Sequence, residues 1–412
     1  RQGLHEGPGE PEGDRRGVLI TASNFGLVHH IYLKYLDIHN VKGILGQDDQ
    51  AKRTAGIGFE TTDDNSVPTR YDDILIEGCN IYQITNTGIY TDNTVSRSNY
   101  PHTSGWNDRR FTNVRISNNV IHHISKNAMI IRLFDQGVIE HNVCYETAID
   151  TTGNTMFTAA CDSTVFQYNE GYYNRSPGGD GSMYDADLRS PNTVWKYSYS
   201  HDNAHGFFWN CTVQQDSGIV CRYNISQNDL GNIFCINYPV NSIYCYNNVV
   251  YIGSGLSSVI ISERNNGGSG TRKYYFYNNI IYNNSSTAGY DFRSSGYGYT
   301  RVVDYNVFYG KHPISEPPDA HKITTDPKFT NPGSGGIGIG TVAGYKLQAD
   351  SPCINSGIAV HNHCGFDYWG GAVPVDVDVD RGAFEYQGTS GLDLDQPSKM
   401  TDFSLTQNYP NP

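Results

Sequence analysis

No run of about 18 apolar residues occurs in the 412-residue chain, the length that a membrane-spanning helix requires, so no membrane insertion by helices is expected. A basic surplus is missing as well. Lys and Arg number 29 against 42 Asp and Glu, and the formal charge of −13 repels phosphate backbones and anionic lipid, which leaves nucleic acid out of the expected partners. Nine cysteines occur without a single CxxC pair, so zinc-ribbon and thioredoxin-type readings have no support. Most of them read as small buried hydrophobes in strands. Cys353 and Cys364 lie in a Gly- and Pro-rich segment where a loop-closing disulfide would suit a secreted protein. Arg1 opens the chain with neither Met nor an apolar leader, and the expectation is that an export signal has been removed. What is present is 37% hydrophobic and 12% aromatic residues, enough to build a core. With 44 glycines, 31 tyrosines and many asparagines, turns and strands are favoured over helices, and an all-β protein is expected.

Self-similarity organises the rest. An apolar or aromatic residue followed four positions later by Asn recurs as Ile76/Asn80, Val114/Asn118, Val138/Asn142, Val165/Asn169, Val220/Asn224, Ile243/Asn247, Tyr274/Asn278 and Val302/Asn306, with Val194/Ser198 filling the gap. Successive anchors are separated by 38, 24, 27, 29, 26, 23, 31 and 28 residues. That spacing is too short for a four-stranded propeller blade and too irregular for a helical repeat, and each unit reads as short β segments split by Asn and Gly. The units are therefore coils of a solenoid of nine or more turns over residues 18–315. At about 4.8 Å per coil the rod is on the order of 40 Å long. Asn tolerates a left-handed corner and its amide can bond the next coil, so Asn118, Asn142, Asn169, Asn224 and Asn247 are expected to stack, buried, at one corner.

Asn113 to Ile121 (Asn-Val-Arg-Ile-Ser-Asn-Asn-Val-Ile) and Ile219 to Ser226 (Ile-Val-Cys-Arg-Tyr-Asn-Ile-Ser) resemble the coils of right-handed parallel β-helix, pectin-lyase-like proteins of bacterial carbohydrate-degradation systems. The resemblance covers roughly residues 18–310 and implies a single-stranded all-β solenoid walled by parallel sheets. Asp326-Pro327, Ser351-Pro352-Cys353 and Asp380 to Tyr386 resemble the segment that closes many secreted β-helix enzymes, which makes 316–388 a C-terminal cap. Residues 389–412 read as a linker and the start of a sorting domain, since Phe403 to Pro412 (Phe-Ser-Leu-Thr-Gln-Asn-Tyr-Pro-Asn-Pro) looks like that of the type IX secretion system. This implies a Bacteroidetes-like Gram-negative source, the type IX machinery as a partner during export, and an extracellular or cell-surface location.

Chemistry is sought in the strand following the looser turn of each coil: 88–92, 128–132, 155–159, 182–187, 206–210, 232–236 and 259–263. Only one carries two carboxylates. Asp185 and Asp187 are two apart, so they share a strand face with Cα atoms roughly 6.6 Å apart and can divide acid and base roles. In the simplest alignment Asp92, Arg132, Asn210 and Glu263 face water, which turns Asp185 inward beside Thr91, Thr158 and Cys235; either a bulge at Gly178-Gly179-Asp180-Gly181 reverses that phase, the preferred reading, or Asp185 is a bonded structural carboxylate and Asp187 alone is exposed. Asp180, Asp185, Asp187, His201 and Asp202 are the candidate catalytic residues. His205, Trp209, Tyr184, Arg132, Lys196 and Glu263 are the candidate substrate contacts, the aromatics as stacking surfaces for sugar rings. A polar column, His123, Glu146, Tyr173, Asp202 and Asn228, is expected beside the groove.

Residues 179–187 and 199–203 look like a segment of secreted β-helix proteins, some relatives of which are glycoside hydrolases of plant cell-wall glycans; the ordered aspartate and His-Gly motifs of polygalacturonases are absent. The leading expectation is an extracellular glycoside hydrolase of a plant or algal polysaccharide. The alternatives are a polysaccharide lyase using Lys196, Arg222 or Arg189 as base, with or without calcium, and a non-catalytic glycan-binding or structural rod. No cofactor is required. Calcium is suggested only by Asp376/Asp378/Asp380 and by Asp63, Asp64, Asp72 and Asp73, neither of which matches an EF-hand loop.

Overall fold

The computed structural model describes residues 15–388 except 62–65, 94–98, 212–215, 265–269, 361–364 and 377. Cys364, Asp63, Asp64 and the sorting-domain motif 403–412 lie outside the described residues. Three parallel sheets wrap one core. Sheet A has ten strands from Arg16–Ala22 to Gly289–Asp291, sheet B ten from Leu27–Lys34 to Tyr299–Asp304 with the short Phe134–Asp135 beside it, and sheet C ten from Asp37–Val41 to Val307–Gly310. Each coil passes A, B, C and returns to A one step further along, so every strand pairs in parallel with its counterpart one coil away. The chain is a right-handed parallel β-helix, the hand that parallel crossovers adopt. No helix among the described residues is long and apolar enough to cross a membrane.

The corner between sheets B and C shows why asparagine recurs. Asn119, Asn142, Asn169, Ser198, Asn224, Asn248, Asn279 and Asn306 form one buried ladder. Asn142 is representative: its Oδ1 accepts from the Asn119 backbone N–H at 3.0 Å and from Asn119 Nδ2 at 2.9 Å, while its own Nδ2 donates to Ile116 O and Asn169 Oδ1, both at 3.0 Å. The residue just before each rung carries the turn at positive φ, between 51° and 58°, at Asn118, His141, Tyr168, Tyr197, Tyr223, Asn247, Asn278 and Tyr305. Asn142, Asn169 and Asn224 thus stand where expected, whereas Asn118 and Asn247 do not. In the Asn-Asn doublets the first residue bends the backbone and the second points inward, and a spacing argument cannot tell the two apart. In the earlier coil Gly78 takes the turn and Cys79 the rung, leaving Asn80 on the outer surface beside Asp37.

Trp195, Phe166, Phe207, Phe208 and Phe234 fill the middle of the core, with Phe166 and Trp195 stacked at 3.8 Å. The expected cap does more than close an end. Ile323 pairs with Val307 and closes the last coil, but Phe329, Val342, Tyr345, Leu347 and Tyr368 lie back along the outer face of sheet C on Tyr199, Ile225, Val249 and Ile280. Asn247 and Asn278 fasten this flank through the carbonyls of Asp380, Gly382 and Ile358. Asp376, Asp378 and Asp380 lie in no strand, and Asp380 is buried, accepting from the backbone N–H groups of Asn355 and Tyr386. Asp72 accepts from Thr112 and Asn113, and Asp73 is paired with His30 and Tyr32 on the open sheet.

Candidate active site on the outer face of sheet A

Strand pairing sets the phase of the aspartate strand. Tyr184 pairs with Met156 and Phe208, Asp185 with Phe157 and Trp209, and Ala186 with Thr158 and Asn210. Relative to the simplest alignment this is a one-residue slip, introduced in the glycine loop where Gly179 has φ of 67°. Tyr184 consequently points into the core, packed on Trp195, and cannot stack on a sugar. Asp185 and Asp187 point outward, away from that core.

Asn154 ties the loop to the cluster. Its Oδ1 accepts from the backbone N–H groups of Gly181 at 2.8 Å and Ser182 at 2.9 Å, and its Nδ2 donates to Asp185 Oδ2 at 2.7 Å. Asp185 is only 4% exposed, and its Oδ1 is buried with no hydrogen-bond partner. Asp187 and Asp180 are half-buried and reachable from outside. One carboxylate oxygen of Asp185, one of Asp187 and the Cys211 sulfur all lie within 4.8 Å of one another. These are the described donor atoms close enough together for a cation, but a thiol does not suit calcium, which takes oxygen ligands.

Electrostatics separate the two neighbouring acids. Burial, reinforced by the charges of Asp187 and Asp180, raises Asp185 well above the usual carboxylate range and outweighs the hydrogen bond from Asn154. Asp187 is pushed up to about 6, chiefly by burial, with the Leu188 amide, the Lys52 ammonium and the Arg132 guanidinium holding it down and Asp180 pushing it up. Burial thus favours the protonated form of Asp185, while Asp187 changes charge at about 6. Lys52 comes from the single helical turn Ala51–Arg53. Arg132 stands in the same outward column as Asp187, paired with Asp49 at 2.7 Å and bonded to the Tyr90 hydroxyl at 2.9 Å.

Beside the carboxylates opens a cavity of about 340 Å³ lined by Gly179, His205, Trp209, Asn232 and Arg264. Burial lowers the pKa of His205, so its imidazole is neutral near pH 7. Asp180, Asp185, Asp187, His205, Trp209 and Arg132 are therefore brought to one face.

Four expected residues stand elsewhere. His201 and Asp202 belong to sheet C. His201 is a rung in a stacked aromatic column, His39, Tyr82, His122, Tyr145, Tyr172 and His201, with ring centroids 4.7–5.0 Å apart. Its Nδ1 faces Asp202 Oδ2 at 2.8 Å and its Nε2 faces Glu170 Oε1 at 3.2 Å, beneath the 333–345 flank. The column His123, Glu146, Tyr173, Asp202 and Asn228 lies at positive φ where sheet C ends, not beside Asp187. Lys196 lies on sheet B in a row with Glu140, Gln167 and Arg222. Glu263 points inward, fully buried, bonded by Arg301 and the Tyr274 hydroxyl. For His201, Asp202 and Lys196 the cause is that a coil holds three faces, and proximity along the chain does not choose among them; Glu263 stays on sheet A but is turned inward, with Asn210, by the same one-residue slip. Arg264, Asn154, Lys52 and Cys211 were not anticipated. Arg264 and Cys211 could have been found by extending the strand alignment one column further; Lys52, brought in from an earlier loop, could not.

No family model matches the chain. Over 293 residues it is 30% identical to a lacto-N-biosidase of Bifidobacterium longum subsp. longum, a match that covers 61% of this chain and 18% of that protein. Crystal structures of a GH136 lacto-N-biosidase from Eubacterium ramulus, native and selenomethionine-substituted, superpose with a TM-score of 0.54 at 20% and 21% identity, covering 65% of this chain and 45% of that one. The solved structures support the β-helix fold. The chain spans less than a fifth of the length of the curated relative.

Proposed function

We propose that the protein is a glycoside hydrolase whose glycan lies along the outer face of sheet A. The observation that carries this reading is the convergence of Asp180, Asp185 and Asp187, the latter two raised above the ordinary carboxylate range by burial, beside an open cavity rimmed by Trp209 and His205. The 30% identity to a lacto-N-biosidase over 293 residues supports it. Accessibility assigns the roles. Asp187 and Asp180 are the carboxylates that meet the sugar, Asp187 as nucleophile or base and Asp180, on the flexible-geometry glycine loop, as acid. Asp185, sealed beneath them, is a positioning residue: burial favours its protonated form, which spares Asp187 a second adjacent charge, and Asn154 links it to the loop. The Lys52 ammonium favours the ionised form of Asp187.

The relative's activity makes a chromogenic lacto-N-bioside the first substrate to test, with plant and algal polysaccharides next. Export through a type IX secretion machine to the cell surface or medium belongs to the same proposal and rests on the motif at Phe403 to Pro412. The test is release of reducing sugar from this panel by the whole chain, with the anomer of the first product read by NMR. Turnover with either stereochemistry supports the reading. An unsaturated product absorbing in the ultraviolet would replace hydrolysis with elimination, and no turnover on any member would remove the reading.

A further inference from the structure

Arg264 is the unpaired charge of the cavity. Its Nη2 donates to Asn232 Oδ1 at 3.1 Å, its Nε–H has no hydrogen-bond partner, and no carboxylate stands within ion-pair distance among the described residues. Several guanidiniums along the rod are neutralised by carboxylates, Arg16 by Glu60, Arg110 by Asp135, Arg132 by Asp49 and Arg301 by Glu263, and the buried Arg272 and Arg381 donate to backbone carbonyls instead. Among the described residues the Arg264 guanidinium has neither a carboxylate nor a backbone carbonyl partner. A half-buried guanidinium with donors left over favours an acceptor from outside.

The rest of the lining fits the same ligand. His205 is neutral, Trp209 presents its ring with the indole N–H buried, and among the described residues no carboxylate lines the cavity. Donors therefore outnumber acceptors. About 340 Å³ is at the lower end of ligand pockets, room for a sugar ring or two rather than a long aglycone. Position matters too. Arg264, Asn237, Cys211 and Asp187 each follow by one residue the paired Glu263, Ile236, Asn210 and Ala186, so they share one outward column. Three coil steps separate Arg264 from Asp187, roughly 14 Å at about 4.8 Å each, too far for an ion pair.

We propose that the Arg264 cavity binds an anionic substituent, a carboxylate or a sulfate ester, on a sugar of the glycan, so that the substrate is an acidic glycan. The inference rests on the glycoside hydrolase reading for its place in the reaction but not for its test. Guanidinium presents a planar set of donors that matches both oxyanions, and charge-assisted hydrogen bonds are about twice as strong as neutral ones.

The experiment is binding, without turnover, of free D-glucuronate, galactose 6-sulfate and galactose to the whole chain carrying Asp187→Asn, by calorimetry and ligand-observed NMR at two salt concentrations. At least one anionic sugar should bind about tenfold or more tighter than galactose, and the advantage should shrink as salt rises. Glucuronate alone or the sulfate alone supports the proposal and names the anion. Arg264→Gln should bring the anionic sugar down to the level of galactose. Arg264→Lys, which keeps the charge and loses the planar fork, should retain part of the advantage and guards against a folding artefact. Equal binding of galactose and both anions, or an anion preference untouched by Arg264→Gln, overturns the inference. Turnover on the oligosaccharide panel fails or succeeds separately, so a failed hydrolase reading and a failed anion subsite give different results.

Discussion

Replacing Asn142 by Ala tests the physical basis of the rod. The side chain makes four hydrogen bonds in a fully buried corner, and its loss leaves two buried donors without acceptors, the Asn119 backbone N–H and one Asn119 Nδ2 hydrogen. Each orphaned buried group costs about 1–3 kcal/mol, so Asn142→Ala should destabilise the rod by about 4 kcal/mol. The protein contains its own control. At Ser198 a hydroxyl takes the rung, accepting from the Asn169 N–H at 3.2 Å and donating to Lys196 O at 2.9 Å. A serine at 142 should rescue one donor and cost about half as much. Urea unfolding followed by tyrosine fluorescence and by circular dichroism measures both, with coincidence of the two probes required before a two-state free energy is extracted, since solenoids lose cooperativity. An Ala variant within about 1 kcal/mol of wild type, or a Ser variant worse than Ala, would refute the ladder as a source of stability.

The other consequences concern charge. Asp187 is pushed up to about 6, so kcat/KM should rise along an acid limb centred there as the carboxyl ionises; Lys52→Met, which removes the ammonium, should move that limb upward, and an unmoved limb would separate Lys52 from Asp187. Burial favours the protonated form of Asp185, so Asp185→Asn should keep turnover within about tenfold while shifting the same limb; a loss as large as that from Asp187→Asn would make Asp185 a catalytic residue instead. His201 is raised to about 9, because hydrogen bonds to Asp202 and Glu170 overcome the lowering effect of burial. Its folded pKa exceeds its ordinary value of about 6.5, so its stabilisation is complete below that pH and is lost as pH rises through about 9. Urea midpoints of wild type and His201→Gln should differ most below pH 6.5 and converge above 9, and a constant difference would contradict the pairing.

How much of this was legible in the sequence depends on what each feature requires. Apolar-to-Asn spacing reports the pitch of a coil directly, and the solenoid followed from it; its parallel sheets followed from the resemblance of 113–121 and 219–226 to parallel β-helix coils. The same spacing failed at Asn118 and Asn247 because in a doublet either residue satisfies the interval, and only backbone φ separates turn from rung. Asp185 and Asp187 were legible because alternation along a strand is a local property, whereas their outward direction hung on a slip in a glycine loop. Glu263, read in the outward column, is turned inward by that same slip and meets Arg301 from the following coil. His201 misled for a different reason: a titratable residue close in sequence to an acid pair reads as its partner, yet His201 sits one sheet away in an aromatic column. The flank over sheet C was illegible because tertiary docking of irregular chain leaves no periodic trace.

The most direct test compares the two faces. Turnover of the best glycoside from the panel should fall by about 10²–10⁴ in Asp187→Asn, on sheet A, and stay within about twofold of wild type in His201→Gln, on sheet C, assayed at a pH where both variants are folded. The reverse order, or equal losses in both, would contradict the placement of the chemistry on the outer face of sheet A.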